Sequence, residues 1–214
     1  MVKIFNFETA NEFAANTYII GKIGSECLII DLGSTDKKIY EYVNSHHSKC
    51  CGILLTHGHF DHIRGVPSFL KSFKYDIPVY IHQEDVPLLT DPLLNASITI
   101  GNQIKVNVPV NKVEDKEELI IAKHKIQVIH TPFHTKGSVC YLFEEENALF
   151  TGDSLFKGSI GRTDLPSSKP SLMESSLKKI ASLNPFLGVF PGHGDITNLE
   201  REKENNPYLV FENE

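Results

Sequence analysis

The sequence predicts an α/β (α+β) fold in which two similar halves pack their sheets together. Short apolar runs bounded by Gly, Pro, Asn or Asp recur along the chain, and such runs are typical of buried strands. Segments with apolar residues at helical spacing separate some of these runs, which indicates strand–helix alternation. With 214 residues, 41% of them apolar, the chain is long enough to bury a sizeable core.

In the first half, a pair of strands is followed by alternating helices and strands. The predicted strands cover residues 16–20, 27–31, 51–55 and 78–82. A helix is expected over residues 37–43, because Ile39 and Val43 lie at helical spacing after a Ser-Thr-Asp start signal. A second helix is expected over residues 66–73, with Pro67 suited to its first turn.

The second half consists mainly of strands, followed by one helix and a last strand. Residues 91–115 show little pattern and are expected to hold short strands and a connection. Ser171 and Glu174 form a capping box, which predicts that a helix opens there. We expect a single domain spanning 1–214, with the boundary between its halves near residue 100. The predicted strands cover residues 119–122, 125–129, 138–143, 148–152 and 186–190.

Composition and charge exclude several classes of protein. The formal charge of −6 provides no basic surface, so nucleic acid is not an expected partner. No apolar run approaches a membrane span and the first residues lack a signal-peptide core, so no membrane partner is expected. The cysteines lie in apolar, strand-like runs without zinc-binding spacing, at Cys27, Cys50, Cys51 and Cys140. We therefore expect a reduced, cytoplasmic protein that acts on a small molecule, and its oligomeric state is left open.

The segment THGHFDH, residues 56–62, places metal-type ligands directly after a predicted buried strand. In extended backbone His57 and His59 project to the same side, so both can bind one ion. A turn after His59 would direct Asp61 and His62 towards a second ion. Imidazole and carboxylate together suit zinc, iron and related ions.

Three further candidate ligands follow other predicted strands: His134, Asp153 and His193. Ligands at the ends of strands can converge on one edge of a sheet, and a carboxylate such as that of Asp153 can bridge two cations. Asp31 is the last residue of a predicted strand, and we expect it to orient a ligand imidazole rather than only to form a turn. The other histidines are interpreted as ordinary surface or core residues, namely His46, His47, His82, His124 and His130.

With TPFHT at 131–135, TGD at 151–153 and PGHG at 191–194, the THGHFDH segment resembles the metallo-β-lactamase superfamily. The match spans nearly the whole chain. The stretches TGDSLFKGSIGRTDLP and PGHGDITNLEREKENNPYL look like glyoxalase II-like hydrolases of the short bacterial type, which lack a C-terminal helical domain. The resemblance implies a four-layer αββα sandwich with two metal ions at one edge.

The resemblance also implies a ligand set and a cofactor. The implied ligands of the first ion are His57, His59 and His134. Those of the second are Asp61, His62 and His193, with Asp153 bridging both. The implied cofactor is two divalent ions, with zinc as the first choice and iron or manganese as alternatives, because this donor set accepts all three.

The implied activity is hydrolysis of thioesters of the S-(2-hydroxyacyl)glutathione type. Two metal ions that share a water lower its pKa towards ~7, and the resulting hydroxide is the expected nucleophile. Asp61 is the expected catalytic residue, because it would orient that nucleophile. A thiolate with a pKa of about 8.5 leaves without a general acid, which favours a thioester over an amide. The alternative is a persulfide dioxygenase with one iron at His57, His134 and Asp153.

Several positions depart from the glutathione-specific pattern of the family. Phe133 stands where a small residue is usual, so we expect a narrower pocket beside His134 and a substrate contact from Phe133. Arg162 is the second expected substrate contact, although an ion pair between Arg162 and Asp164 explains it equally well. Asp195 replaces a family tyrosine. The identity of the carrier thiol is therefore left open.

Overall fold

The computed structural model describes residues 2–5 and 14–211, which form two six-stranded sheets. The opening segment, expected to lack a signal-peptide core, lies largely outside the described residues. The first sheet contains β1 (Val2–Phe5), β2 (Thr17–Gly21), β3 (Glu26–Ile30), β4 (Lys49–Leu54), β5 (Val79–His82) and β6 (Asn111–Val113). The second contains β7 (Glu118–Ile121), β8 (His124–His130), β9 (Val139–Phe143), β10 (Ala148–Gly152), β11 (Gly188–Pro191) and β12 (Thr197–Asn198).

Both sheets mix antiparallel and parallel pairing. In the first sheet β1 to β3 pair antiparallel and β3 to β6 pair parallel. In the second sheet only β10 and β11 pair parallel. Parallel neighbours need a crossover connection, which helices provide here. The helices are α1 (Lys37–His46), α2 (Phe60–Ile63), α3 (Val66–Lys71), α4 (Met173–Ala181) and α5 (Leu199–Asn205). Within the described ranges, none of them has the length and apolar character needed to cross a membrane.

Three hydrophobic clusters hold the layers together. The central cluster lies between the sheets and takes residues from both, among them Tyr18, Leu54, Tyr141 and Phe150. A second cluster joins the outer face of the first sheet to α1 and α3. The third joins the outer face of the second sheet to α4 and α5. This order of helix, sheet, sheet and helix confirms the predicted α/β class and the αββα sandwich.

Helix α1 begins where the sequence predicts it, because a side chain caps its first turn. The Asp36 carboxylate accepts a hydrogen bond from the Lys38 backbone N–H at 2.9 Å. Ile39 and Val43 are buried in the outer cluster of the first sheet. The helix continues beyond the predicted end to His46.

Two other helix boundaries differ from the prediction. The capping box at Ser171 is wrong, because Pro170–Leu172 forms a 3₁₀ turn and α4 begins only at Met173, without a side-chain cap. Proline fixes φ and lacks an N–H, so residue 171 already lies inside that turn rather than before a helix. Helix α3 ends at Lys71, earlier than the predicted Phe73.

The change from one sheet to the other occurs later than the predicted boundary near residue 100. Strand β6 pairs parallel with β5, so the first sheet ends at Val113 and the second begins at Glu118. The preceding segment contains a 3₁₀ helix at Ser97–Ile100. Its irregular structure explains why the sequence shows no period there. The assignment of residues 1–214 to a single domain stays a prediction.

Candidate metal centre

The predicted ligands lie at the carboxyl ends of strands and meet at one edge of the sandwich. The loop after β8 carries His134, and the loops after β10 and β11 carry Asp153 and His193. Strands β8, β10 and β11 run in the same direction, because two antiparallel pairings separate β8 from β10. These loops meet the segment after β4, where the His59 and His134 rings lie 4.7 Å apart between centroids.

The segment after β4 changes direction at His59. This residue is extended, with φ −69° and ψ 150°, and it precedes the first turn of α2. His57 and His59 therefore project to the same side, with 3.0 Å between His57 Nε2 and His59 Nδ1. Helix α2 then carries Asp61 and His62 in a different direction. The turn predicted after His59 is therefore the short helix α2.

His57, His59 and His134 form the first group of candidate ligands. His59 Nδ1 lies 2.9 Å from His134 Nε2. His134 Nδ1 donates to the Arg162 carbonyl oxygen at 2.8 Å, so the neutral ring presents an unprotonated Nε2 to its neighbours. Burial lowers the pKa of His59 to about 3 and also lowers the pKa of His57 and of His134. At neutral pH all three rings are therefore uncharged, and each can donate a nitrogen lone pair to a metal ion.

Asp61, His62 and His193 form a second group. His193 Nε2 lies 3.0 Å from Asp61 Oδ2, and His62 Nε2 lies 3.8 Å from the same oxygen. Burial opposes ionisation of Asp61, but the charges of His62 and His193 lower its pKa below the ordinary value. Burial also disfavours charge on His62, yet nearby carboxylates, Asp31 first, raise its pKa.

Asp153 lies between the two groups. Its Oδ2 is 3.4 Å from His134 Nε2 and 3.9 Å from His193 Nε2, and its Oδ1 is 3.3 Å from His62 Nε2. Asp153 Oδ1 and His62 Nε2 are both buried without a hydrogen-bond partner among the described residues. When His62 is neutral and its Nδ1 donates to Asp31, its Nε2 lone pair faces the Asp153 oxygen, which is costly unless a cation lies between the two atoms. The donor set therefore fits divalent metal ions.

Side chains behind the candidate ligands hold their orientation. Asp31 Oδ2 lies 2.8 Å from His62 Nδ1, so the expected contact of Asp31 with a ligand imidazole is present. The same carboxylate accepts hydrogen bonds from the backbone N–H and the hydroxyl of Thr56. Ser167 Oγ lies 2.9 Å from His59 Nε2. Sequence reasoning missed Ser167, because its contact with His59 joins two loops 108 residues apart in the chain.

A cavity of about 580 Å³ opens onto the candidate ligands. Apart from them, its walls are mainly apolar and include Phe60, Ala96, Ile100, Phe156 and Leu165. Thr99 and Arg162 also line it. The Arg162 guanidinium donates two hydrogen bonds to Asp164 at 2.6 and 2.7 Å, so the expected ion pair is present. A substrate contact from Arg162 stays a prediction.

The expected substrate contact from Phe133 is wrong. Its side chain is 0% exposed and lies in the cluster between the second sheet and its outer helices. The chain after β8 turns so that His134 faces the cavity while Phe133 faces the core. Position 133 therefore contributes to packing, and its size does not narrow the cavity directly.

The remaining histidines lie outside the candidate ligand groups of the described residues. His82 and His130 stack on each other with centroids 3.9 Å apart, and His46 stacks on Tyr42 at 4.2 Å. His124 pairs with Glu146. These contacts agree with the interpretation of these histidines as ordinary surface and core residues.

Comparison with known proteins places this arrangement in a family. The probable metallo-hydrolase YqgX of Bacillus subtilis is 36% identical over 197 residues, covering 91% of this chain and 92% of YqgX. The hydroxyacylglutathione hydrolase GloC of Haemophilus influenzae is 29% identical over 200 residues, covering 92% of this chain and 93% of GloC.

Two solved structures share both fold and sequence with this chain. The BLEG-1 B3 metallo-beta-lactamase has a TM-score of 0.89 and 35% identity, covering 99% of this chain and 100% of its own. TTHA1623, in a di-iron-bound form, has a TM-score of 0.80 and 36% identity, covering 92% and 96%. The model of the metallo-beta-lactamase superfamily matches residues 10–193. The chain therefore belongs to the metallo-beta-lactamase superfamily, whose members bind divalent metals, and within it to the metallo-hydrolases.

Proposed function

We propose that the protein is a binuclear metal-dependent hydrolase of thioesters, of the S-(2-hydroxyacyl)glutathione type. The observation that carries this proposal is the pair of ligand groups, His57–His59–His134 and Asp61–His62–His193, on either side of Asp153. The name of the relative GloC supports the acylglutathione class of substrate. In this proposal the first group holds one ion, the second group holds another, and the Asp153 carboxylate contacts both.

The chain's own residues have separate roles in this reaction. Bound divalent ions would supply Lewis acidity and activate a water near neutral pH. The neutral imidazoles of His57, His59 and His134 donate lone pairs without first losing a proton. The Asp61 carboxylate, which lies at the cavity wall, orients the attacking water as the proposed catalytic residue. The apolar walls of the cavity exclude bulk water from the reacting carbonyl.

The lining of the cavity favours a thioester over an amide. Apart from the candidate ligands, the described lining residues with polar side chains are Thr99 and Arg162. Neither group is a general acid at neutral pH, because guanidinium pKa values exceed about 12 and a hydroxyl is weaker still. A thiolate leaves without protonation, whereas an amide nitrogen must be protonated first.

Zinc is the proposed metal, with iron and manganese as alternatives. The mixed imidazole and carboxylate donors suit all three ions. The di-iron form of TTHA1623 makes iron a concrete alternative for this chain. The proposed substrate is a small molecule.

Metal analysis followed by a substrate panel tests the proposed function. We expect about two ions per chain and turnover of S-lactoylglutathione or another acyl thioester, lost after chelation and restored by added metal. His134→Gln should remove both metal and turnover, whereas the matched control His46→Gln, remote from the ligand groups, should retain both.

Two outcomes would contradict the proposal. A protein that holds two ions but hydrolyses no thioester in the panel would exclude thioester hydrolysis. About one iron per chain, with oxygen consumed on glutathione persulfide, would favour the dioxygenase.

A further inference from the structure

Besides the carboxylate of Asp31, a second buried carboxylate contacts the segment after β4, at the backbone between His57 and His59. Asp85 belongs to the 3₁₀ helix Gln83–Leu89, which directly follows β5. It is 0% exposed and does not line the cavity. The sequence around it, His-Gln-Glu-Asp-Val-Pro, contains no motif that separates Asp85 from its neighbour Glu84.

The Asp85 carboxylate joins the two loops that carry the first ligand group. Its Oδ2 accepts hydrogen bonds from the Gly58 N–H at 2.8 Å and from the Thr135 hydroxyl at 2.7 Å. Its Oδ1 accepts a hydrogen bond from the Gly137 N–H at 2.7 Å. Gly58 lies between His57 and His59, and Thr135 directly follows His134. One side chain therefore connects a loop of the first sheet to a loop of the second.

The packing around Asp85 depends on this close approach. A Cβ at position 137 would lie 2.7 Å from both the backbone nitrogen and the Oδ1 of Asp85. Only glycine leaves room for the His134 loop to lie directly against the carboxylate. The lack of room for a side chain at Gly137 and the hydrogen bond from its N–H to Asp85 therefore describe the same close contact.

A carboxylate suits this position better than any neutral side chain. All three partners of Asp85 donate, and an ionised carboxylate only accepts. Burial raises the pKa of Asp85 to about 6, while the bonds from Thr135, Gly58 and Gly137 oppose that rise. With asparagine at this position, the amide NH₂ would face one of these three donors, and that donor would be left without an acceptor.

We propose that Asp85 is a positioning residue that holds His57, His59 and His134 at the spacing needed to bind one metal ion. The inference rests on the proposed binuclear centre. Asp85 belongs to none of the candidate ligand groups and does not line the cavity, so in this proposal it acts through its hydrogen bonds to the two loops. Partners behind metal ligands typically contribute about 10- to 100-fold to metal affinity.

Metal affinity, measured apart from activity, tests this inference. Metal-free wild type and Asp85→Asn would be titrated with Co²⁺, read by its absorption spectrum, and with Zn²⁺ against a competing chelator. We expect Asp85→Asn to lower the affinity for one of the two ions by about 10- to 100-fold and to change the Co²⁺ absorption spectrum. Thermal unfolding of the metal-free proteins checks that the variant is folded.

Glu202 offers a matched control elsewhere in the second half. It is 1% exposed and accepts hydrogen bonds from the Gly158 N–H, the Thr197 hydroxyl and the Asn206 amide. Glu202→Gln thus removes a buried carboxylate with a similar set of donors but no hydrogen bond to the two loops that carry the first ligand group. It should lower stability and leave the affinity for the ion of the first ligand group unchanged.

Variants at Thr135 keep the test valid if Asp85→Asn does not fold. Thr135→Val removes the hydroxyl that donates a hydrogen bond to Asp85, so it should weaken binding of the same ion as Asp85→Asn does. Thr135→Ser retains the hydroxyl and should bind metal as wild type does. If the wild type binds two ions and both Asp85→Asn and Thr135→Val bind them with wild-type affinity, this inference alone is overturned. Wild type that binds fewer than two ions would overturn the proposed function, and this inference with it.

Discussion

The segment after β4 places four candidate ligands within residues 57–62, whereas the second sheet places three, each at the end of a different strand. In the first region the relative positions of the ligands follow from local structure, because an extended stretch leads directly into α2. In the second region they follow from strand pairing, because β10 pairs directly with β11 and β9 pairs with both β10 and β8.

This difference determines what each region can tolerate. The candidate ligands after β4 share one short backbone segment, so we expect the loss of a single contact such as that of Asp85 or Asp31 to affect several of them. The candidate ligands of the second sheet lie in three loops, which hydrogen bonds join to one another. His134, for example, is held through the Arg162 carbonyl oxygen. Asp153 faces ligands from both regions and is the point where they depend on each other.

The largest effect is expected from Asp153→Asn, which changes the residue that faces both candidate ligand groups. The amide removes the negative charge that faces both ligand groups, so we expect metal content below about one ion per chain and loss of turnover. At a metal concentration 1,000 times the Kd, each bound ion stabilises the fold by about 4 kcal/mol, so this stabilisation should be lost as well. Elemental analysis and thermal unfolding with added metal measure both effects.

His193→Ala is the comparison for that variant, because it removes a ligand from one group only. It should retain about one ion per chain. Equal metal loss in the two variants would contradict the central position of Asp153.

A smaller effect is expected from Gly192→Ala, which alters a single loop of the second sheet. The added Cβ would lie 2.4 Å from Asp153 Oδ1 and 2.7 Å from His62 Cε1, so one of these side chains must move. We expect a folded protein with weaker metal binding and lower turnover. Gly188→Ala, at the start of β11, would bring its Cβ only to 3.2 Å from the Phe190 ring edge and should bind metal as wild type. Unchanged metal affinity in Gly192→Ala would contradict the steric argument.

Asp31→Asn tests the anchoring of the segment after β4. Asp31 has a φ of 52°, and asparagine adopts this left-handed conformation readily, so the backbone should be preserved. Loss of the carboxylate charge next to His62 Nδ1 should lower the affinity for one ion by about 10- to 100-fold. Metal titration against a chelator measures this change, and an affinity within twofold of wild type would show that the Asp31–His62 contact does not support metal binding.

The smallest effect is expected from Arg162→Gln. The residue contacts His134 through its backbone carbonyl, and its side chain forms an exposed ion pair with Asp164. Exposed pairs contribute little, so the free energy of unfolding should change by less than about 0.5 kcal/mol, with metal content unchanged. Denaturant unfolding and elemental analysis test this, and loss of metal would mean that the side chain itself supports the site.

Much of the architecture could be predicted because its signals are local. Apolar runs predicted most strands, and Asp36 marked the start of α1. The signals failed where neighbouring structure overrode them, as at Ser171, which lies inside a 3₁₀ turn that begins at Pro170. They also failed in the segment before β6, whose place in the first sheet depends on pairing with β5.

The residue types of the candidate site were equally local. A histidine or an aspartate directly after an apolar strand is visible in the chain, so all seven candidate ligands could be named from their motifs. The structure brings these seven together, and their roles as ligands stay a proposal that metal analysis can test. Arg162 and Asp164 could be named as a pair because they are close in sequence.

By itself the sequence determined most strands and the residue types that follow them, because apolar runs and strand-end residues are properties of short segments, and its resemblance to a family implied the αββα layers. Only the tertiary structure decided that Phe133 packs in the core, that Ser167 contacts His59, and that Asp85 joins two ligand loops. These contacts connect residues far apart in the chain. Their existence depends on how the two sheets pack, and no local pattern in the sequence records that packing.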